Sequence, residues 1–254
     1  MTERRWFETF FDDLYGRVLA ERSGSDKTLR QARLMKKLLR LRKGQSVLDC
    51  PCGMGRVTIP LAKMGLRMTG ADFQPAYLAR ARREATKLGV KAKFVRCDMR
   101  ELPFVGRFDA VINWFTSFGY FDEAGNLATA KAAFAALKPG GKFLIETQNK
   151  TWSVRHFRPR GRVTINGIEI VDRHRWDART SRVEPVWTFR FGRRVRRHRF
   201  SLRLYSGPEL RTILRAAGFR DIRLFGHTLA GATRLTRHSP RLIAVGTKPE
   251  SGQG

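Results

Sequence analysis

Two hundred and fifty-four residues, 42% hydrophobic and 11% aromatic, are enough for a buried core and exclude a wholly disordered chain or a disulfide-stapled mini-scaffold. Fifty-one Lys and Arg against 22 Asp and Glu leave a net charge of +29, a field that attracts polyanions. No apolar run reaches the roughly 18 residues of a membrane span, the N-terminal stretch lacks a secretory apolar segment, and Cys50, Cys52 and Cys97 are too few for a disulfide framework, so a reduced, cytoplasmic setting is expected.

Residues 1–43 predict a helical cap in two pieces. Trp6, Phe7, Phe10, Phe11 and Leu14 recur at helical spacing, and after a break at 23–26, Leu29, Ala32, Met35, Leu38, Leu39 and Leu41 form a second stripe. Both read as packing faces. Over 44–149 short apolar runs alternate with helical stretches: strands at 46–50, 67–71, 93–97, 108–113 and 142–147, helices at 56–63, 75–88 and 123–137. Pro75 suits a first helical turn and Gly89 and Gly140 suit helix exits, whereas Pro60 reads as a misfit inside its helix. This alternation predicts a parallel sheet covered on both faces.

The alternation then stops. Residues 150–205 are β-rich, and turn signals at Asn166-Gly167 and 191–193 predict antiparallel hairpins. The span 150–204 carries sixteen basic and four acidic side chains, a local concentration of the overall excess. Over 206–248 a helix capped by Ser206 runs through 208–217, leaves at Gly218, and is followed by strands at 221–225 and 241–247, with 249–254 as a tail.

The chemistry is concentrated in VLDCPCGMGRVTIPLAKMGLRMTGADF. A strand ends at Asp49, a Gly53-Met54-Gly55 loop opens a helix, and a second strand ends at Asp72, whose carboxylate is placed to accept from ribose hydroxyls. Such a layout suits a nucleoside cofactor at the carboxyl edge of a sheet. Thr58 stands where a dinucleotide fingerprint wants Gly or Ala, and Asp98-Met99 closes the third strand with an acid beside an apolar cover. Cys50 and Cys52, one residue apart with no nearby His or second cysteine pair, do not make a zinc site, and no metal is expected.

With VLDCPCGMGR, GADF, CDM, FDAVINWFTSFGYF, LKPGGKFLIE and YSGPELRTILRAAGFRDIRLFG in hand, the sequence resembles the class I S-adenosylmethionine-dependent methyltransferases over about 44–247. The resemblance implies an α/β, Rossmann-like fold: a mostly parallel seven-stranded sheet with helices on both faces, an antiparallel last strand between the fifth and sixth, and a β-rich insertion before the last helix. It implies S-adenosylmethionine as cofactor, with Asp49, Gly53 and Gly55 along its methionine half and Cys50 a small residue nearby. Asp72 would hold the ribose, Phe73, Asp98 and Met99 would frame adenine, and Asn113 and Phe115 would lie under the methionine moiety. Tyr15 resembles an aromatic that some members fold over the cofactor. Pro51 departs from the family pattern, which has Gly there, and cannot donate a backbone N–H.

Candidates for a general base at the strand ends are Glu146, Tyr120, His156 and His227. Two acceptor classes stand open. In one, a small molecule lies under the insertion, enclosed by Trp114, Phe118, Tyr120, Trp152, Trp176 and Trp187. In the other, RNA is gripped by Arg193, Arg194, Arg196, Arg197 and Arg199, with Arg155, Arg158, Arg160 and Arg162 upstream. The small molecule is favoured, because the Asn/Asp-Pro-Pro-aromatic motif of base-amino methylation is missing from Asn113-Trp114-Phe115-Thr116. A non-catalytic binding protein on this fold is the third reading, opposed by the retained Asp49, Gly53, Gly55, Asp72 and Asp98.

Overall fold

The computed structural model describes residues 6–22, 25–228 and 231–250. Helices α1 (Trp6–Phe10), α2 (Asp13–Arg22) and α3 (Ser25–Leu39) lead into β1 (Ser46–Asp49), α4 (Thr58–Lys63), β2 (Arg67–Asp72), α5 (Pro75–Lys87), β3 (Ala92–Arg96), β4 (Phe108–Asn113), α6 (Glu123–Ala136) and β5 (Leu137–Gln148). A short helix α7 (Lys150–Arg155) opens the insertion, which contains β6 (Arg160–Ile165), β7 (Ile168–Asp177), β8 (Arg182–Phe191), β9 (Arg194–Arg199) and β10 (Leu202–Arg203). The chain then returns through α8 (Gly207–Ala216), β11 (Arg220–Thr228), β12 (Gly231–Arg234) and β13 (Arg241–Thr247).

The main sheet has the order β12-β11-β13-β5-β4-β1-β2-β3. Strands β1 to β5 run parallel, and β13 lies antiparallel between β5 and β11. Successive side chains of a strand alternate faces, so a sheet covered on both sides needs unbroken apolar strands. Accordingly, Val111 of β4 and Leu242 and Ala244 of β13 pack with α6 and α8, through Ala130, Ala133, Leu210 and Leu214. Ala110 and Ile112, with Ile243 and Val245, pack on the other face with Ala32, Met35 and Leu39 of α3 and Leu61 of α4.

The insertion is a separate five-stranded antiparallel sheet, β10-β8-β7-β6 with β9 also paired to β8. Its β6–β7 turn has both Asn166 and Gly167 at positive φ (49° and 72°), the conformation a two-residue hairpin turn requires. Helix α2 packs Leu14 and Val18 onto Ile168, Ile170 and Phe189 of this sheet. Thus the N-terminal helices fasten to the insertion as well as to the core.

Four details differ from the sequence-based expectation. The N-terminal region has three helices among the described residues, because the aromatic stripe breaks at Phe11-Asp12. Helix α4 begins at Thr58, so Pro60 falls in the first turn, where an N–H has no intrahelical partner anyway, and there is no misfit. Gly140 is no helix exit: α6 ends at Ala136, and Gly140, at φ +71°, bends the start of β5. Among the described residues the main sheet has eight strands, where seven were expected. Strand β11 continues past Phe225 through Gly226, where a Cβ would lie 2.2 Å from Ser239 Oγ, and the short β12 pairs with its extension.

Candidate active site

At the carboxyl edge of the parallel strands lies a cavity of about 460 Å3. Its floor begins with β1. Asp49, 2% exposed, accepts from Thr58 Oγ1 at 2.6 Å, and the chain then turns through Cys50-Pro51-Cys52. Cys50 N–H bonds Ile112 O at 2.9 Å and Cys52 N–H bonds Ala71 O at 2.8 Å, so the turn is stitched to both flanking strands around the one residue that cannot donate. Gly53, at φ +54°, donates its N–H to Asp72 Oδ2 at 2.7 Å, while Gln74 N–H reaches Asp72 Oδ1 at 2.9 Å. Each Asp72 oxygen therefore keeps accepting capacity.

Burial pushes the carboxyl of Asp49 up to about 7, despite the Thr58 bond and the charge of Arg56; it also raises Asp72 against three backbone N–H bonds. Neither carboxylate has a cationic side chain hydrogen-bonded to it among the described residues. In a chain of net charge +29, this is a pair of buried acids without a bonded counter-ion, an environment that favours a cationic ligand. Asp98 differs: Arg100 grips it in a fork, with Nη2 at 2.6 Å from Oδ2.

The opposite wall is the turn after β4. Phe115 and Thr116 both hold positive φ (68° and 64°), a costly conformation for bulky or β-branched residues. Glu146, at the end of β5, holds them there. Its Oε2 accepts the Phe115 N–H at 2.9 Å and its carbonyl accepts the Thr116 N–H at 3.1 Å. Arg241 of β13 forks onto the same carboxylate and also donates to Thr116 Oγ1 at 2.5 Å. Burial alone would raise Glu146, but Arg241, helped by His227, brings it down to about 2. Glu146 is thus a fixed anion behind the wall; it was a candidate general base, and it does not border the cavity.

An aromatic roof closes the cavity. Phe7 of α1, Phe11 in the break that follows it and Tyr15 of α2 border it together with Tyr77, Tyr120 and Phe121. Trp6 packs edge-on against Tyr120 at 4.9 Å, and Phe10 against Phe200 at 4.7 Å. Polar ties hold the roof down. Gln74 Nε2 donates to Phe7 O at 2.9 Å, Tyr77 OH donates to Asp12 O at 3.2 Å, and His198 Nε2 of β9 lies 3.0 Å from Asp12 Oδ2. Burial drives the phenols of Tyr77 and Tyr120 up, so both stay protonated donors at neutral pH. On the floor, the interacting thiols of Cys50 and Cys97 shift apart, Cys50 above and Cys97 below the ordinary thiol range.

Of the residues singled out from the sequence, Tyr15, Asp49, Cys50, Gly53, Asp72, Phe73, Asp98, Met99, Phe115 and Tyr120 border this cavity. Gly55 does not; at φ +81° it lets α4 approach α5, since a Cβ there would sit 3.3 Å from that of Ala81. Asn113 stands one layer back, its Nδ2 3.7 Å from Met99 Sδ. His156 does not border it: the residue is exposed and stacks on Trp152 at 4.3 Å in a different cleft. Among the expected enclosing aromatics, Trp114 and Tyr120 border the cavity, Phe118 is core, Trp187 packs behind Tyr15, and Trp152 and Trp176 line the other cleft. Phe7, Phe11, Arg56, Tyr77, Arg80 and Glu84 also border the cavity and were not foreseen. The stripe containing Phe7 and Phe11 was visible, but periodicity cannot tell a face that packs on protein from one that roofs a cavity.

Comparison with known proteins places this geometry. Residues 47–141 match the family described as a methyltransferase domain. A demethylmenaquinone methyltransferase of Thermus thermophilus is 33% identical over 136 residues, covering 52% of this chain and 59% of its own length. A ubiquinone biosynthesis O-methyltransferase of Azorhizobium caulinodans is 32% identical over 147 residues, 55% of this chain and 54% of its own. The chain spans little more than half the length of these curated relatives. An S-adenosylmethionine-dependent methyltransferase from Clostridium acetobutylicum superposes with a TM-score of 0.78 at 16% identity, covering 96% of this chain and 99% of that one.

Proposed function

We propose that this chain, which carries a methyltransferase domain on the fold of the class I S-adenosylmethionine-dependent enzymes, transfers a methyl group from S-adenosylmethionine to a small-molecule acceptor. The observation that carries the reading is the acidic floor of the aromatic cavity. Asp49 and Asp72, both buried and without a bonded cation, suit a ligand that brings positive charge and hydroxyl donors. Asp72, with acceptor capacity left on each oxygen, would take the ribose hydroxyls. Phe73 and Met99 would cover the adenine, and Asp49 with the turn over 50–54 would face the charged end.

Bound S-adenosylmethionine supplies a methyl group already activated by its sulfonium, so the work left to the chain is alignment and exclusion of water. The Glu146–Arg241 pair fixes the Phe115 wall, and the roof of α1 and α2 closes the cavity. Tyr120, kept protonated by burial, orients an acceptor as a hydrogen-bond donor and does not remove its proton, while the one O–H of Tyr77 is already committed to Asp12 O.

A small acceptor is favoured over RNA because Arg193, Arg194, Arg196, Arg197 and Arg199 are exposed on the hairpin and none borders the cavity. The curated relatives named above carry quinone-pathway names, which agrees with a small acceptor without naming this one. Calorimetry with S-adenosylmethionine tests the site. Wild type is expected to bind and Asp72→Ala to lose at least about a hundredfold in affinity, near 2.7 kcal/mol; wild-type affinity in the variant would mean that the cofactor lies elsewhere.

A further inference from the structure

A second cleft, about 410 Å3, opens between α7 and the insertion sheet, on the face that also receives α2, and none of its lining residues borders the first cavity. Its floor is apolar, built on Val183 and Leu204, which cluster with Phe157 and Trp176. Trp152 and His156 make one wall as a stacked pair, centroids 4.3 Å apart and 16° from parallel, locked by His156 Nδ1 against Trp152 O at 2.9 Å. The only acid lining it among the described residues, Asp172, is turned to His174 Nε2 at 2.7 Å. Glycine at 161 permits that arrangement, because a Cβ there would lie 2.4 Å from Asp172 Oδ1.

Arg158 and Arg160 also line the cleft, and no carboxylate stands within ion-pair distance of either among the described residues. The cleft thus combines flat aromatic surfaces with two unpaired guanidinium groups and a single acid, Asp172, that faces His174. Stacking surfaces select a planar ring, and guanidinium groups select an anion by charge-assisted, often bidentate hydrogen bonds. We infer that this cleft is a second binding site, for a planar aromatic molecule carrying a carboxylate or a phosphate. The inference does not depend on what the first cavity binds. It gives Trp152, Trp176, Arg158 and Arg160 a common role that the methyl-transfer site leaves unused.

Calorimetry on the full chain tests it with two matched pairs: indole-3-acetate against indole-3-acetamide, and 1-naphthyl phosphate against 1-naphthol. In at least one pair the acid is expected to bind about tenfold or more tightly than its neutral partner. The pair with the larger ratio tells carboxylate from phosphate. An Arg158→Ser/Arg160→Ser variant should lose that preference, whereas Arg193→Ser/Arg194→Ser, which removes the same charge from the hairpin tip, should keep it. Equal binding of acid and neutral partner in both pairs would overturn the inference. So would absence of binding at about 10 mM, or an unchanged preference in the Arg158/Arg160 variant.

Discussion

Asp49 carries opposing demands from stability and binding. Its carboxyl titrates near 7 because burial disfavours its charge. A carboxyl raised in the fold contributes stability below its unfolded value near 3.8, and that contribution is lost as the pH climbs through about 7. At pH 8 the buried charge is a cost, so Asp49→Asn, which still accepts from Thr58, is expected to raise the melting temperature by roughly 3–6 °C without ligand. Binding runs the other way, because a cation prefers the ionised acid. S-adenosylmethionine affinity should strengthen up to about tenfold per pH unit below 7 and level off above it. Calorimetry at pH 6, 7 and 8 measures this, and a flat profile would contradict the assignment of Asp49. Glu146 has the opposite sign. Held near 2 by Arg241, it contributes stability that is present above about 4.5 and lost as the pH falls through 2. Glu146→Gln should cost about 1–3 kcal/mol at pH 7 by thermal or chemical unfolding, with the deficit shrinking in acid.

At the scale of elements, the roof depends on few polar ties, so it is separable from the sheet. The Asp12 carboxylate receives Tyr15 N–H and His198, its backbone carbonyl receives Tyr77 OH, and Gln74 holds the end of α1. Asp12→Ala with Gln74→Ala should speed hydrogen exchange over residues 6–18 while leaving β1 and β4 protected; unchanged exchange in α1 would show that the aromatic contacts suffice alone. The same elements mark what the sequence could reveal. Strand β4 and strand β13 were legible to the residue, because two-sided burial demands an unbroken apolar run. Ser206 announced α8, and the structure adds the reciprocal bond from Glu209 that completes a capping box. Strand β12 was not legible: four residues, Gly231–Arg234, carry no alternation, and their pairing is imposed by β11. Phe7 and Phe11 were seen as apolar but not as site residues, since only the fold brings Gln74 and Tyr77 of the core and His198 and Phe200 of the insertion against this segment and makes it a roof.

At the scale of the whole molecule, the charge and the cavity point in different directions. The hairpin is basic and exposed, yet the cavity is bordered by Asp49, Asp72, Glu84 and Asp98 against Arg56 and Arg80. The hairpin charge therefore lies outside the proposed methyl-transfer site and bears on solubility or on polyanion attraction. Replacing Arg193, Arg194, Arg196, Arg197 and Arg199 by Ser should weaken retention on an anionic column while methyl transfer stays within about twofold. The most direct measurement offers methyl-labelled S-adenosylmethionine and a cell extract to the wild type and to Asp72→Ala. The account predicts label in the small-solute fraction with the wild type and none with the variant. Label in RNase-sensitive macromolecules, or equal transfer by the two proteins, would contradict it.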